Sequence, residues 1–248
     1  MFRYRAPVTR TLSTAEGQNS GAFSTTDWIL LLVPSVVFGA SFLFMAIGLE
    51  AMGPGVITFG RIAFGFMALS LVPAARVVLP RSEWPRLVVL AISWIALPLT
   101  LFPRAQQHIS SAVAGMINGG TPLMVGVVAT AMLRRTPGAL PVIRTVLGIG
   151  LVLTFPGLLV DLPGSSFEFR PFLAVVALGV GGTGLAYVAA STLAGRVGST
   201  RSSVITYLST PVAILFGVVF RDDVIGSTRW IGAALTLTGA WFTSRADR

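Results

Sequence analysis

Long apolar runs separated by short polar links decide what this chain can fold into. In hydrocarbon every backbone N–H and C=O has to be bonded within the protein, so a run that crosses a bilayer has to be a helix or part of a closed barrel. A crossing helix needs about 20 mostly apolar residues. Eight such runs are present, at 28–50, 54–76, 87–104, 107–133, 139–160, 171–193, 202–220 and 226–243. The sequence therefore predicts an all-α, polytopic membrane helix bundle of about eight transmembrane helices. Composition agrees: 54% of residues are hydrophobic and 11% charged, against roughly 25% charged in a soluble domain.

The cations order the spans. All basic residues are arginines, and thirteen fall in alternate links: Arg3, Arg5, Arg10, Arg76, Arg81, Arg86, Arg134, Arg135, Arg144, Arg196, Arg201, Arg245 and Arg248. The other links hold Arg104, Arg170 and Arg221, together with Glu50, Asp161, Glu168, Asp222 and Asp223. Arginine-rich links stay in the cytoplasm, so both termini are expected there and the protein in the inner or plasma membrane. The net charge of +9 thus reflects topology, and nucleic acid is excluded as a partner. Trp28, Trp84, Trp230 and Trp241 stand at span ends, where an aromatic belt places them. Residues 1–27 are polar and read as a cytoplasmic disordered tail rather than a cleaved signal.

Several chemistries are ruled out. There is no cysteine and a single histidine, His108. No thiol nucleophile, cysteine metal site or histidine cluster can be built, and neither GxSxG nor HExxH occurs. No enzyme and no cofactor are expected. Small residues at helical spacing, Gly115 with Gly119 and Gly182 with Ala186 and Ala190, suit close helix packing.

Two spans resemble each other. "HISSAVAGMINGGTPLMVGVV" begins at His108 and "VGSTRSSVITYLSTPVAILFGVV" at Val197. Each has a hydroxyl pair near its start, Ser110–Ser111 and Ser199–Thr200, and a Thr-Pro at mid-span, Thr121–Pro122 and Thr210–Pro211. The predicted topology gives them opposite directions. Inverted repeats with interruptions at matching places are a sequence signature of secondary transporters. Proline removes a donor and leaves a carbonyl free, so the paired sites are candidates for lining a substrate cavity; plain packing kinks are the alternative.

With these features on the page, the chain resembles the EamA family of the drug/metabolite transporter superfamily. The stretch "VFGASFLFMAIGLEAMGPGVITFGRIAFGFMALSL" is similar to that family's first two helices. "AQQHISSAVAGMINGGTPLMVGVV" is similar to its fourth, "GTGLAYVAASTLAGRVGSTRSSVITYLSTPVAILFGVVF" to its eighth and ninth, and "GSTRWIGAALTLTGAWF" to its tenth. The resemblance implies two inverted repeats of five helices. Here the helices corresponding to the sixth and seventh are missing, which gives a first repeat at 28–160 and a shortened, three-helix second repeat at 161–248. The family's Gly-Glu after the fourth and ninth helices is replaced by Leu133-Arg134-Arg135 and Arg221-Asp222-Asp223. The implied activity is export of a small amino-acid-like or drug-like metabolite by alternating access. The alternative is a reduced, non-transporting membrane scaffold. Partners are then a small-molecule substrate, membrane lipid and, given the shortened repeat, a second copy of the chain in a homodimer.

The candidate substrate-binding residues are Arg61, Trp94, Asn118, Thr121, Pro122, Tyr187, Tyr207, Thr210 and Pro211, with Glu50 as gate or coupling residue. Arg61 is the charge deepest within a span. Such an arginine costs at least ~2.5 kcal/mol to insert, so it faces protein or water. It is expected to attract an anionic group, to pair with Glu50 in a gate, or to reach outward and cap carbonyls. No acidic residue lies centrally in a span, which leaves uncoupled exchange or coupling through Glu50.

Overall fold

A computed structural model describes residues 22–119 and 139–224. Every element among them is helical. The helices are α1 (Thr25–Gly48), α2 (Pro54–Ser70), α3 (Arg81–Ala105), α4 (Ser111–Asn118), α5 (Ala139–Asp161), α6 (Phe169–Val197) and α7 (Val204–Arg221). Five of them, α1, α3, α5, α6 and α7, are long and apolar enough to cross a membrane, and α2 is a shorter apolar helix. The expected span at 226–243, the inner part of the fourth span, Thr121, Pro122, Trp230 and Trp241 lie outside the described residues.

Local sequence sets the helix ends. Ser24 and Asp27 form a reciprocal capping box at the start of α1: Ser24 Oγ accepts from the Asp27 amide at 3.3 Å, and the Ser24 amide donates to Asp27 Oδ2 at 3.0 Å. Pro54 opens α2, where its missing N–H costs nothing. Ser110 caps α4 by accepting from the Val113 amide at 3.4 Å. Gly198 (φ 89°) ends α6.

Some boundaries differ from the sequence expectation. α2 stops at Ser70, because Pro73 opens a separate turn. α3 begins at Arg81 rather than residue 87, since Trp84-Pro85 continues from a preceding helical turn. Residues 107–110 form a turn instead of starting the fourth helix. Arg144 belongs to the first turns of α5, not to a link; it donates from Nε to Ser70 Oγ at 2.9 Å and lies over the Phe66 ring.

Between lipid-exposed helices there is little hydrophobic drive, so close backbone approach and dispersion carry the packing. Small residues sit where the seams are tightest. A methyl on Gly39 of α1 would lie 2.6 Å from Val212 of α7, and one on Gly65 of α2 would lie 2.7 Å from Thr183 of α6. A methyl on Gly115 of α4 would collide with Ala213 of α7, and one on Gly182 of α6 would meet Ser41 of α1 at 2.5 Å. One buried cluster joins α2, α3 and α5 through Ile62, Leu69, Ile95, Val146 and Leu147. Another joins α1, α2 and α6 through Met45, Ile57, Val175 and Leu178.

Helix ends that the arginine pattern assigns to one side do meet. On the expected outer side, the Gly53 amide donates to Ser165 Oγ at 2.8 Å and the Gly55 amide to Asp161 Oδ2 at 2.6 Å. On the expected inner side, Arg144 reaches Ser70 and Arg196 reaches Asp27.

Candidate functional site

Arg61 lies two turns into α2 and is only 6% exposed. Its Nε donates to Thr183 Oγ1 on α6 at 3.0 Å. The glycines explain how a guanidinium reaches a short hydroxyl side chain there. Gly65 meets Thr183 itself, a methyl on Gly179 would meet Phe64 Cβ at 2.5 Å, and one on Gly184 would meet Ala68 at 2.6 Å. These residues let the two helices touch.

Thr183 stands inside a π-helical segment, Val180–Leu185. α3 contains a second such segment, Ala91–Ala96, which carries Trp94. π segments widen one turn and release a helix from strict i→i−4 pairing, and they concentrate at functional sites. Among the described residues, α3 and α6 are the two helices that carry such a segment.

The side chains from these turns converge. Trp94 stacks on Tyr187 with ring centroids 5.5 Å apart and planes 21° from parallel. Phe38 of α1 meets Tyr187 edge-on at 5.7 Å. Tyr187 follows Thr183, the partner of Arg61, by one turn of α6. Arg61, Trp94 and Tyr187, three of the sequence candidates, thus form one site with Thr183 and Phe38.

The other candidates sit elsewhere. Thr210 is buried and shares its helix with the neighbouring Ser209; both hydroxyls turn back to the Thr206 carbonyl, at 3.4 and 2.7 Å. The Ser209 carbonyl packs under Gly39 of α1. Pro211 is exposed and Tyr207 half-buried, in a helix that continues unbroken past the proline. Asn118 closes α4 and is half-buried. His108 is exposed, in an open hollow shared with Pro54, Arg104 and Asp161.

The expected Arg61–Glu50 pair is corrected. Glu50 lies beyond the end of α1 and binds Arg170 at 3.3 Å, and also Arg221, so it ties α1 to α6 and α7 at the expected outer side. Arg61 stays buried against Thr183, and does not reach outward to helix-end carbonyls.

Sequence reasoning missed three acidic anchors. Asp161 caps α2. Asp223 accepts from Ser111 Oγ at 2.8 Å and the Ala112 amide at 3.0 Å, and so caps α4. Asp27, fully buried, pairs with Arg196 at 2.5 Å. The signal for Asp27 was the Ser-x-x-Asp spacing of a capping box. Asp27→Ala removes both the cap and the ion pair, and the expected cost is about 2 kcal/mol. A thermal-denaturation midpoint in detergent equal to that of the parent protein would show that the pair contributes nothing.

A membrane bundle with a buried cation, an aromatic wall and two irregular turns has the features of a solute-handling membrane protein. The profile of the EamA-like transporter family matches residues 27–160 and again 140–245, and the chain belongs to that family. The two matches share residues 140–160, within α5. No curated protein and no solved structure matches the chain. Membership makes it a multi-pass membrane protein of the drug/metabolite transporter type.

Proposed function

We propose that the chain is a permease that exports a small metabolite by alternating access, with both termini in the cytoplasm. The observation that carries this reading is Arg61. A charge is retained in the interior of the bundle, joined to the π segment of a second helix and flanked by an aromatic stack, at a cost to folding that packing alone does not explain. The family supplies the transporter class; the direction rests on the resemblance. Glu50 with Arg170 and Arg221 is the outer latch, and Asp27 with Arg196 holds the inner ends of α1 and α6. Thr210, Pro211, Tyr207 and Asn118, with Thr121 and Pro122, belong to the second helix pair around the pathway. We assign the boundary between repeats to the end of α5, and a second copy of the chain as the partner that replaces the missing wall.

Solute flux from proteoliposomes tests the reading. Release of at least one organic solute from a metabolite panel, above protein-free vesicles, is expected. No flux across the panel, from protein with native helicity, would favour a reduced scaffold instead.

Glu50→Gln gives a sharper prediction. The latch is partly exposed, so its loss is worth only about 1 kcal/mol, or about a fivefold shift between closed and open outer ends. The chain has no cysteine, so a single cysteine at Thr183 reports access without background. An impermeant maleimide added outside should label it about fivefold faster in the Glu50→Gln protein. Equal labelling rates would remove Glu50 from the gate.

A further inference from the structure

The identity of the groups around Arg61 restricts what it can hold. We infer that the site formed by Arg61, Thr183, Tyr187 and Trp94 takes a planar organic anion, an aromatic carboxylate or sulfonate, and discriminates against solutes that carry an ammonium group. This rests on the permease reading above and names the substrate class for that site.

The first argument is charge. The chain has nine acidic residues, and those in the described helices and links sit at helix ends. Asp27 is bound to Arg196, Glu50 to Arg170 and Arg221, and Glu83 to Arg86. Asp161 and Asp223 cap α2 and α4. The remaining two segments of expected span, 120–138 and 225–243, contain no Asp or Glu. Among the described residues no carboxylate is therefore placed to balance Arg61 or to bind an ammonium. A zwitterionic amino acid would leave its cation unpaired at a site that is already positive.

The second argument is geometry. Thr183 takes the Nε–H of Arg61 and so fixes the plane of the guanidinium. The two Nη nitrogens make no hydrogen bond to a described residue. The Tyr187 hydroxyl is in the same condition. A planar fork with its outer edge open matches the two oxygens of a carboxylate or sulfonate. Lysine would supply the charge without the fork.

The third argument is the aromatic wall. Trp94 is 36% exposed although it stacks on Tyr187, so part of the indole surface is left uncovered. An aromatic ring lies flat on such a surface, and the anion on that ring then points toward Arg61. The two elements select for both halves of one molecule, a flat apolar ring and a single negative group.

The test uses purified full-length protein in detergent and then in proteoliposomes. Naphthalene-2-sulfonate is the anionic probe, because it stays charged at all working pH values. 2-Naphthylethylamine is the cationic probe and tryptophan the zwitterionic one. Binding is read by quenching of tryptophan fluorescence, with Trp94→Phe identifying the responding indole. The expected result is saturable quenching by the sulfonate, lost in Trp94→Phe, and at least about tenfold weaker binding of the amine and of tryptophan. Arg61→Gln should weaken sulfonate binding about tenfold to a hundredfold, the worth of a charged hydrogen-bonded contact. Arg61→Lys should recover part of that loss, and Thr183→Val should lose several-fold while leaving the charge in place. If Arg61→Gln does not fold, the Arg61→Lys and Thr183→Val comparisons carry the test. Tighter binding of the amine or the amino acid than of the sulfonate overturns the inference, as does sulfonate binding unchanged by all three variants. Flux of a cationic or neutral solute with no binding of the sulfonate overturns the inference while leaving the permease reading intact. Absence of flux for every solute removes the permease reading itself.

Discussion

Gly55→Ala should lower the thermal midpoint of the purified protein more than any other single methyl addition in the described seams. Gly55 is in the first turn of α2, and its amide donates to Asp161 Oδ2 at 2.6 Å. A methyl there would run into the carbonyl of Gly157, which is backbone of α5. A side chain can rotate away from such a contact, but a carbonyl inside a helix moves only with its helix. Relief therefore separates α2 from α5 and stretches the Asp161 cap as well. Overpacking costs about 1–3 kcal/mol and loss of a cap about 1 kcal/mol, so about 3 kcal/mol is expected in total. Gly148→Ala is the control. Its methyl would meet only the edge of the Phe66 ring, at 3.3 Å, and alanine gains about 1 kcal/mol in helix propensity over glycine. Far-UV circular dichroism in detergent reads both. If the Gly55→Ala midpoint equals or exceeds that of Gly148→Ala, the α2–α5 seam is looser than the structure shows.

The comparison of these two glycines also shows what could be read from sequence and what could not. Apolar runs and arginine spacing were enough for most of the described helices, their order and the pairing of their ends, because lipid allows one solution for the backbone. The resemblance, carried by residues spread over most of the chain, gave the family. Arg61 stood out because a charge in a span is costly wherever it faces. Its partner was not legible. Thr183 sits in "GVGGTGL", where a glycine-rich stretch reads as packing, and the π segment that turns its hydroxyl toward α2 has no sequence period of its own. The same holds for Trp94 and Tyr187, which were candidates separately and became one stack only when α3 and α6 were placed side by side. Glu50 went to the wrong partner because sequence distance says nothing about what the first turn of α6, where Arg170 lies, comes to face. Thr210 drew attention through the Thr-Pro repeat. Its hydroxyl is spent on the Thr206 carbonyl, one turn back along its own helix, a local bond of the kind threonines in helices commonly make.

Arg61→Met should stabilise the fold and abolish transport. The two effects have opposite signs, which is what separates a functional residue from a structural one. In the parent protein a guanidinium is held 6% exposed, with one hydrogen bond to Thr183 and no carboxylate partner among the described residues. Burial of an arginine in a span costs at least ~2.5 kcal/mol on insertion scales. One hydrogen bond from a charged donor returns about 1.5–3 kcal/mol, so the residue is close to neutral at best, and the unbonded Nη edge tips it to unfavourable. Methionine replaces the aliphatic stem with a flexible apolar chain that fills the same channel between α2 and α6. Thr183 loses its donor but can turn its own hydroxyl to a carbonyl one turn back. The expected gain is about 1 kcal/mol, seen as a higher midpoint in detergent. Flux in proteoliposomes should fall to the protein-free rate, because the only deep charge in the described bundle is gone. A lower midpoint, by a kilocalorie or more, would mean that the Arg61–Thr183 bond is a tie that holds α2 to α6. Retained flux would mean that the solute does not use this cation at all.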